Sequence, residues 1–259
     1  ALPGHLHRSW ERDIELTLGL QPDHVSLYGL TIESHTPLSR WADRGSVVEG
    51  TEERYEEEFL YAHDAMSAAG FEHYEVSNFA RPGQASRHNS VYWTGSPYAA
   101  AGPSAHSFDG ATRRWNVPMY SEWIRRLASN ENVIGGEEVL TEENRDAEEV
   151  YLGLRTRRGL AIGDRELERA EKWVASGWAA VTENSLARTT DFSANRLNHF
   201  DSAEPNQIDS VNRAVGGPHR LTLTPMGWLR LDSLAADLSA ARSRNHTTLL
   251  SPTPSHCYI

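Results

Sequence analysis

Apolar residues recur along this chain with recognisable periods. Between His7 and Leu20, Trp10, Ile14 and Leu18 stand four residues apart, which predicts a helix with one buried stripe, ended by Pro22. The run from Val25 to Ile32 is rich in β-branched and aromatic residues and reads as a mostly buried strand. Thr51 can cap a second helix that carries Tyr55, Phe59, Ala62 and Met66 on one face. Gly70 sits where a left-handed C-terminal residue belongs, and a strand from Glu72 to Ser77 follows. Helix, strand, helix, strand with short connections is the grammar of a parallel sheet covered by helices, so an α/β fold is expected.

The pattern then changes. The small residues Ala99, Ala100, Ala101, Gly102 and Ser104 allow a close backbone approach, and Pro118 to Leu127 reads as a helix. Past Thr141, a cap followed by acidic residues, Ala147, Val150, Tyr151 and Leu154 follow helical spacing. A helix near Asp164 to Ser176, strands at Trp178 to Val181 and Arg220 to Thr224, and a final helix complete the series. The final helix has Thr224 as cap, Pro225 at its first position and Leu231, Leu234 and Leu238 inward. Helices followed by two strands suggest a winged-helix-like α+β module. The expected division is 1–128, then 129–242 with 187–218 as a loop or disordered insertion, then a tail at 243–259.

Of the 259 residues, 39% are hydrophobic, enough for a sizeable core, and no run reaches the roughly 18 apolar residues of a membrane span. A net charge of −11 disfavours unspecific attraction to nucleic acid or anionic lipid, so neither is an expected partner. The single cysteine, Cys257, excludes an internal disulfide framework and fits the cytoplasm. The opening Ala1-Leu2-Pro3-Gly4 resembles neither an initiator nor a signal peptide and reads as the loop after a strand, so a fragment of a longer protein is expected.

The densest chemistry lies in Tyr74-Glu75-Val76-Ser77-Asn78-Phe79-Ala80 and Arg87-His88-Asn89-Ser90-Val91-Tyr92-Trp93. An ordinary strand and turn would carry mostly Val, Ile and Gly there. Polar side chains that are costly to bury unless paired point to a ligand.

These two stretches, together with His24-Val25-Ser26-Leu27-Tyr28-Gly29-Leu30-Thr31-Ile32-Glu33 and Gly102-Pro103-Ser104-Ala105-His106-Ser107, resemble the HemW family of radical S-adenosylmethionine heme chaperones. That family is related to oxygen-independent coproporphyrinogen III oxidase. The resemblance spans about residues 1–185 and 219–240. It implies the C-terminal portion of a partial (β/α) barrel, followed by a small C-terminal domain, in a parent that binds a 4Fe-4S cluster and S-adenosylmethionine. The family's CxxxCxxC loop is absent here, and one cysteine cannot replace three thiolates, so this chain alone is expected to be inactive in radical chemistry. Leu2-Pro3 would match the family's Gly-Leu-Pro turn, although His5 and Leu6 stand where Gln and Thr are usual.

The resemblance further implies heme as ligand, with His88 as a candidate axial ligand to its iron. Tyr92 and Trp93 would offer flat surface, Arg87 a propionate partner, and Glu75 and Asn78 polar support, with Asn89 a further candidate in the cofactor-binding set. Thr31 and His106 lie where the oxidase relatives contact the nucleoside. A heme-accepting protein is an implied partner.

Plainer readings stand beside these. His88 can be a structural histidine, Tyr92 and Trp93 core residues, and Glu75 the partner of Arg81 or Arg87. Glu52 to Glu58 reads as a solvated helix face, as do Arg155, Arg157 and Arg158 beside Glu148 and Glu149. Two other functions are weighed: oxidative decarboxylation of coproporphyrinogen III, and a binding module built on the winged-helix-like end. Uncovered strand edges predict that the isolated chain associates with itself.

Overall fold

The computed structural model describes residues 9–183 and 217–243. The Leu2-Pro3 turn with His5 and Leu6, most of the 187–218 insertion, the tail after 243 and Cys257 lie outside the described residues.

Helix α1 (Trp10–Gly19) begins where the Ser9 side chain accepts from the Arg12 amide, and Ile14 is its buried residue. Strand β1 (His24–Ser26) follows, much shorter than the Val25 to Ile32 run. Its partner strand β3 (Asn78–Ala80) has only three residues, and pairing past it is limited to the Leu27 amide on the Ser77 carbonyl at 2.8 Å. Helix α2 (Pro37–Asp43), capped by Thr36, was not foreseen. Helix α3 (Glu52–Ala68) is capped by Thr51 as expected and buries Ala62 and Met66. Gly70 takes φ +85°, where L side chains are disfavoured.

Strand β2 (Glu72–Glu75) turns directly into β3. The sheet order is β1-β3-β2, with both neighbours antiparallel to β3. The expected parallel sheet is therefore modified: β1 and β2 run the same way, as a helical crossover requires, but the hairpin strand β3 is inserted between them. Ile14, Val25, Ala62, Met66, Phe71 and Phe79 form the first hydrophobic cluster, between this sheet and helices α1 and α3.

Helix α4 (Arg87–Trp93) holds the densest polar motif of the sequence. Strands β4 (His106–Phe108), β5 (Thr112–Asn116) and β6 (Ile134–Val139) form an antiparallel sheet in chain order, interrupted by α5 (Tyr120–Ala128). Helix α5 buries no side chain fully, and Tyr120, Ile124 and Leu127 stand exposed on it.

Helix α6 (Glu142–Arg155), β7 (Leu160–Ile162), α7 (Asp164–Ala175), β8 (Ala179–Glu183) and β9 (His219–Leu223) make the winged-helix-like unit, with sheet order β7-β9-β8. Strand β7 is the addition to the expected two. The single final helix is instead α8 (Pro225–Trp228) and α9 (Leu231–Ser243). The second hydrophobic cluster gathers Val150, Leu154, Ile162, Trp173, Leu221, Trp228 and Leu238. Among the described residues no helix is long and apolar enough to cross a membrane.

Candidate functional site

The β1-β3-β2 sheet has two chemically different faces, because alternate side chains along a strand point to opposite sides. The register pairs Val25 with Phe79 and His73 with Phe79, and these face the α1 and α3 layer. The other side carries His24, Ser26 and Asn78, with His24 opposite Ala80 and Ser26 opposite Asn78. The register shifts between His73 and Glu75, so β2 gains one residue against β3. Such a bulge breaks strict alternation, and both Tyr74 and Glu75 join the polar side.

Glu75 is fully buried and Asn78 is 1% exposed. The first carboxylate oxygen of Glu75 accepts from the Ser77 amide at 3.0 Å and from the Asn78 side-chain amide. The second accepts from Arg155 Nε at 2.9 Å. Asn78 in turn accepts from Ser26 Oγ at 2.5 Å. A buried carboxylate persists only when its lone pairs are occupied in this way, and its partner's charge is close by. This settles the pairing expected for Glu75: the cation is Arg155, eighty positions along the chain, not Arg81 or Arg87. Arg81 lies over the Phe71 ring instead, 4.8 Å from its centroid. Arg155 also leaves the solvated cluster assigned to it.

Tyr74 fixes α4 to this face. Its hydroxyl accepts from the Ser86 amide at 3.3 Å and meets His24 Nε2 at 2.9 Å. Burial raises the Tyr74 hydroxyl and lowers the His24 imidazole, whose shift Glu75 partly opposes. Ser86 caps the helix by accepting from the Asn89 amide at 3.2 Å. Along α4, Arg87 and His88 are exposed, while Asn89, Tyr92 and Trp93 are half-buried. The Tyr92 hydroxyl meets His88 Nε2 at 3.0 Å, and its ring stands edge-on to Tyr98 at 4.6 Å. Trp93 lies beneath the Arg155 guanidinium, 4.3 Å away, and its indole N–H is buried with no hydrogen-bond partner.

The structure thus brings Glu75, Asn78, His88, Asn89, Tyr92 and Trp93 into one neighbourhood. Thr31 is exposed on the irregular segment after β1, and His106 is exposed at the start of β4, stacked on Trp115 at 5.8 Å. Three members of the neighbourhood escaped the sequence reading: Arg155, Tyr74 and Ser26. Tyr74 stood inside the motif beside Glu75, whereas nothing in the sequence links Arg155 to it. A cleft of 330 Å³ opens separately between α1, α3 and the segment after β1, lined by Trp10, Tyr28, Tyr55 and Phe59.

No family model matches the chain. It is 36% identical over 178 residues to the protein of Mycobacterium tuberculosis strain H37Rv named heme chaperone HemW, covering 68% of this chain and 46% of that protein. The Synechocystis sp. protein of the same name is 34% identical over 221 residues, covering 83% of this chain and 50% of that one. The chain is a homologue of the HemW proteins. It spans about half the length of these curated relatives. A mitochondrial protein of Danio rerio named radical S-adenosyl methionine domain-containing protein 1 is 35% identical over 137 residues, half of this chain and 31% of that one. A likeness of fold is found as well. A solved structure of coproporphyrinogen III oxidase, HemN, from Escherichia coli aligns at a TM-score of 0.56 and 12% identity, covering 90% of this chain and 51% of that one. The α/β architecture is therefore that of a portion of the HemN radical S-adenosylmethionine fold.

The residues present do not fit an iron–sulfur cluster. The sequence has one cysteine, and among the described residues no group of three His, Cys, Asp or Glu is placed to hold a metal ion. Iron–sulfur clusters are held by several cysteine thiolates, which a single cysteine cannot supply. Helix α4 offers an exposed imidazole, two adjoining aromatic rings and a buried indole N–H without a hydrogen-bond partner.

Proposed function

We propose that this chain contributes the heme-handling face of a HemW-type heme chaperone. The observation that carries this reading is the face of α4: His88 is exposed one helical turn from Tyr92, next to Trp93, over a sheet face whose only buried carboxylate is already neutralised by Arg155. An anionic macrocycle with an iron centre is matched by such a surface. His88 would exchange its contact with Tyr92 for the iron, Tyr92 would lie against the ring while Trp93 anchors the helix beneath Arg155, and exposed Arg87 would meet a propionate. Glu75, Asn78 and Asn89 support the helix from below and touch the ligand less directly. Thr31 and His106 are the positions the reading reserves for the nucleoside of S-adenosylmethionine, whose cluster would be held by thiolates from elsewhere. The name heme chaperone supports heme as cargo, with a heme-accepting protein as partner, and the lone cysteine supports a reducing, cytoplasmic setting. The exposed apolar face of α5 supports self-association.

Titration of hemin into the chain tests the reading. A Soret band characteristic of histidine ligation is expected, and His88→Ala should abolish it or move it. An identical spectrum in His88→Ala removes His88 as ligand and with it the role of α4. The oxidase reading rests on the fold match alone, since the HemN likeness is 12% identical.

A further inference from the structure

Arg155 occupies a position that neither the sequence motifs nor the names of the relatives assign. It is the last residue of α6, within the second hydrophobic unit, yet its side chain reaches into the first. Three contacts meet there: Nε to the buried Glu75 carboxylate at 2.9 Å, a terminal nitrogen to Ser77 Oγ at 3.4 Å, and the guanidinium plane over the Trp93 ring at 4.3 Å. Backbone bonds lock the same place, with the Val76 amide on the Arg155 carbonyl at 3.2 Å and the Arg157 amide on the Tyr74 carbonyl at 2.9 Å. The guanidinium therefore has one flat side on the heme-candidate helix and one edge on the sheet.

We propose that Arg155 is a positioning residue for α4, clamping Trp93 so that the seating of the α6 unit sets where His88 and Tyr92 stand. The geometry favours this over a purely structural ion pair for a specific reason. A lysine at 155 would satisfy the Glu75 charge, but only a planar guanidinium can pair with a carboxylate and stack on an indole at once. The short helix α4 has no other charged tie to α6 or the sheet among its described contacts; its other anchors are neutral, Ser86 and Asn89 on the Tyr74 hydroxyl and the Tyr92 ring against Tyr98. Seven residues of helix are marginal without tertiary contacts, so losing the stack should show first in α4.

The consequence for heme rests on the proposed function; the clamp itself does not. Amide hydrogen exchange on the 259-residue chain, compared with Arg155→Lys and Trp93→Leu, tests the clamp without any ligand. Both variants should lose about tenfold protection at residues 90–94 while β9 keeps its protection, and the double variant should be no worse than either single one. Unchanged α4 protection in Arg155→Lys overturns the clamp. Should Arg155→Lys lose protection everywhere, Trp93→Leu, which leaves the ion pair intact, decides; general loss there too overturns the proposal. Hemin titration separates the two readings. Weaker hemin binding by about tenfold at an unchanged Soret position is expected in both variants. A loosened α4 with unaltered hemin affinity keeps the clamp and refutes the heme role of α4. Weakened hemin binding with α4 protection intact refutes the clamp.

Discussion

Acidification should loosen the seam between the two hydrophobic units, because that seam is built on an imidazole that must stay neutral. His73 is 4% exposed, stacks on Phe79 with centroids 3.8 Å apart, and meets the edge of Trp228 at 4.5 Å. Its Nε2–H donates to the Val76 carbonyl at 3.1 Å, which leaves Nδ1 to accept from His63 Nδ1–H at 2.9 Å. A proton added to His73 Nδ1 would set its N–H against that of His63. Burial is the main cause that pushes His73 down from 6.5 to about 3; the Val76 bond opposes it and His63 adds to it. The sign follows from linkage. The folded pKa is below the unfolded one, so the stabilisation is complete above about 6.5 and drains away as pH falls toward about 3. Between pH 7 and pH 5 the loss is about 2 kcal/mol, and down to pH 3 about 4 kcal/mol. Urea unfolding at pH 7 and pH 5 measures it, with His73→Gln as control, since glutamine can still donate toward the Val76 carbonyl but does not titrate. The wild-type chain should lose about 2 kcal/mol more than the variant over that interval, other histidines cancelling in the comparison. Equal losses in the two proteins would refute the assignment of a neutral buried His73.

Two further substitutions probe the same architecture. Trp228→Phe removes the indole N–H that donates to the Leu154 carbonyl at 3.0 Å in a buried setting, and should cost about 1–3 kcal/mol in denaturant unfolding; a cost under about 0.5 kcal/mol would mean water replaces the bond. Gly159→Ala should cost about 1–3 kcal/mol or more, because φ is +74° and an added Cβ would lie 2.5 Å from the Leu221 carbonyl oxygen. Gly177→Ala is the control, with φ +75° but open space around the Cβ, and should cost about 1 kcal/mol; equal costs at the two positions would show that the β7 to β9 approach is not what makes Gly159 necessary.

The long helices were legible because each carries its own instructions. In α3 and α6 a threonine cap, acidic first turn and apolar stripe all agree, and Thr51 and Thr141 accept from Arg54 and Asn144 amides as caps should. The β4-β5-β6 sheet was illegible for a physical reason. Its third strand reads Ile-Gly-Gly-Glu-Glu-Val, a poor strand on propensity, yet the glycines are what the packing requires. A Cβ at Gly136 would stand 2.4 Å from the Trp115 indole, and one at Gly135 would stand 3.1 Å from the Val117 backbone. Three-residue strands such as β7 carry too few positions for any period to register. The Glu75 and Arg155 pairing was beyond reach because charge type is readable in a sequence and charge partners eighty positions apart are not.

The motif around His88 shows how helix geometry sorts neighbouring residues onto different sides. In an extended segment neighbours alternate, and His88 and Asn89 would point to opposite sides. In the helix they instead form two stripes with a four-residue step, His88 above Tyr92 and Asn89 above Trp93. The first stripe is joined by the Tyr92 hydroxyl to His88 Nε2, with His88 exposed. The second carries Trp93 against Arg155. A seven-residue helix has room for two such stripes, and the spacing of HNxxYW supplies one aromatic residue to each, Tyr92 against Tyr98 and Trp93 beneath Arg155. That division puts the exposed imidazole and the packed indole on one short helix, and the partner of the indole is Arg155, sixty-two positions further along the chain.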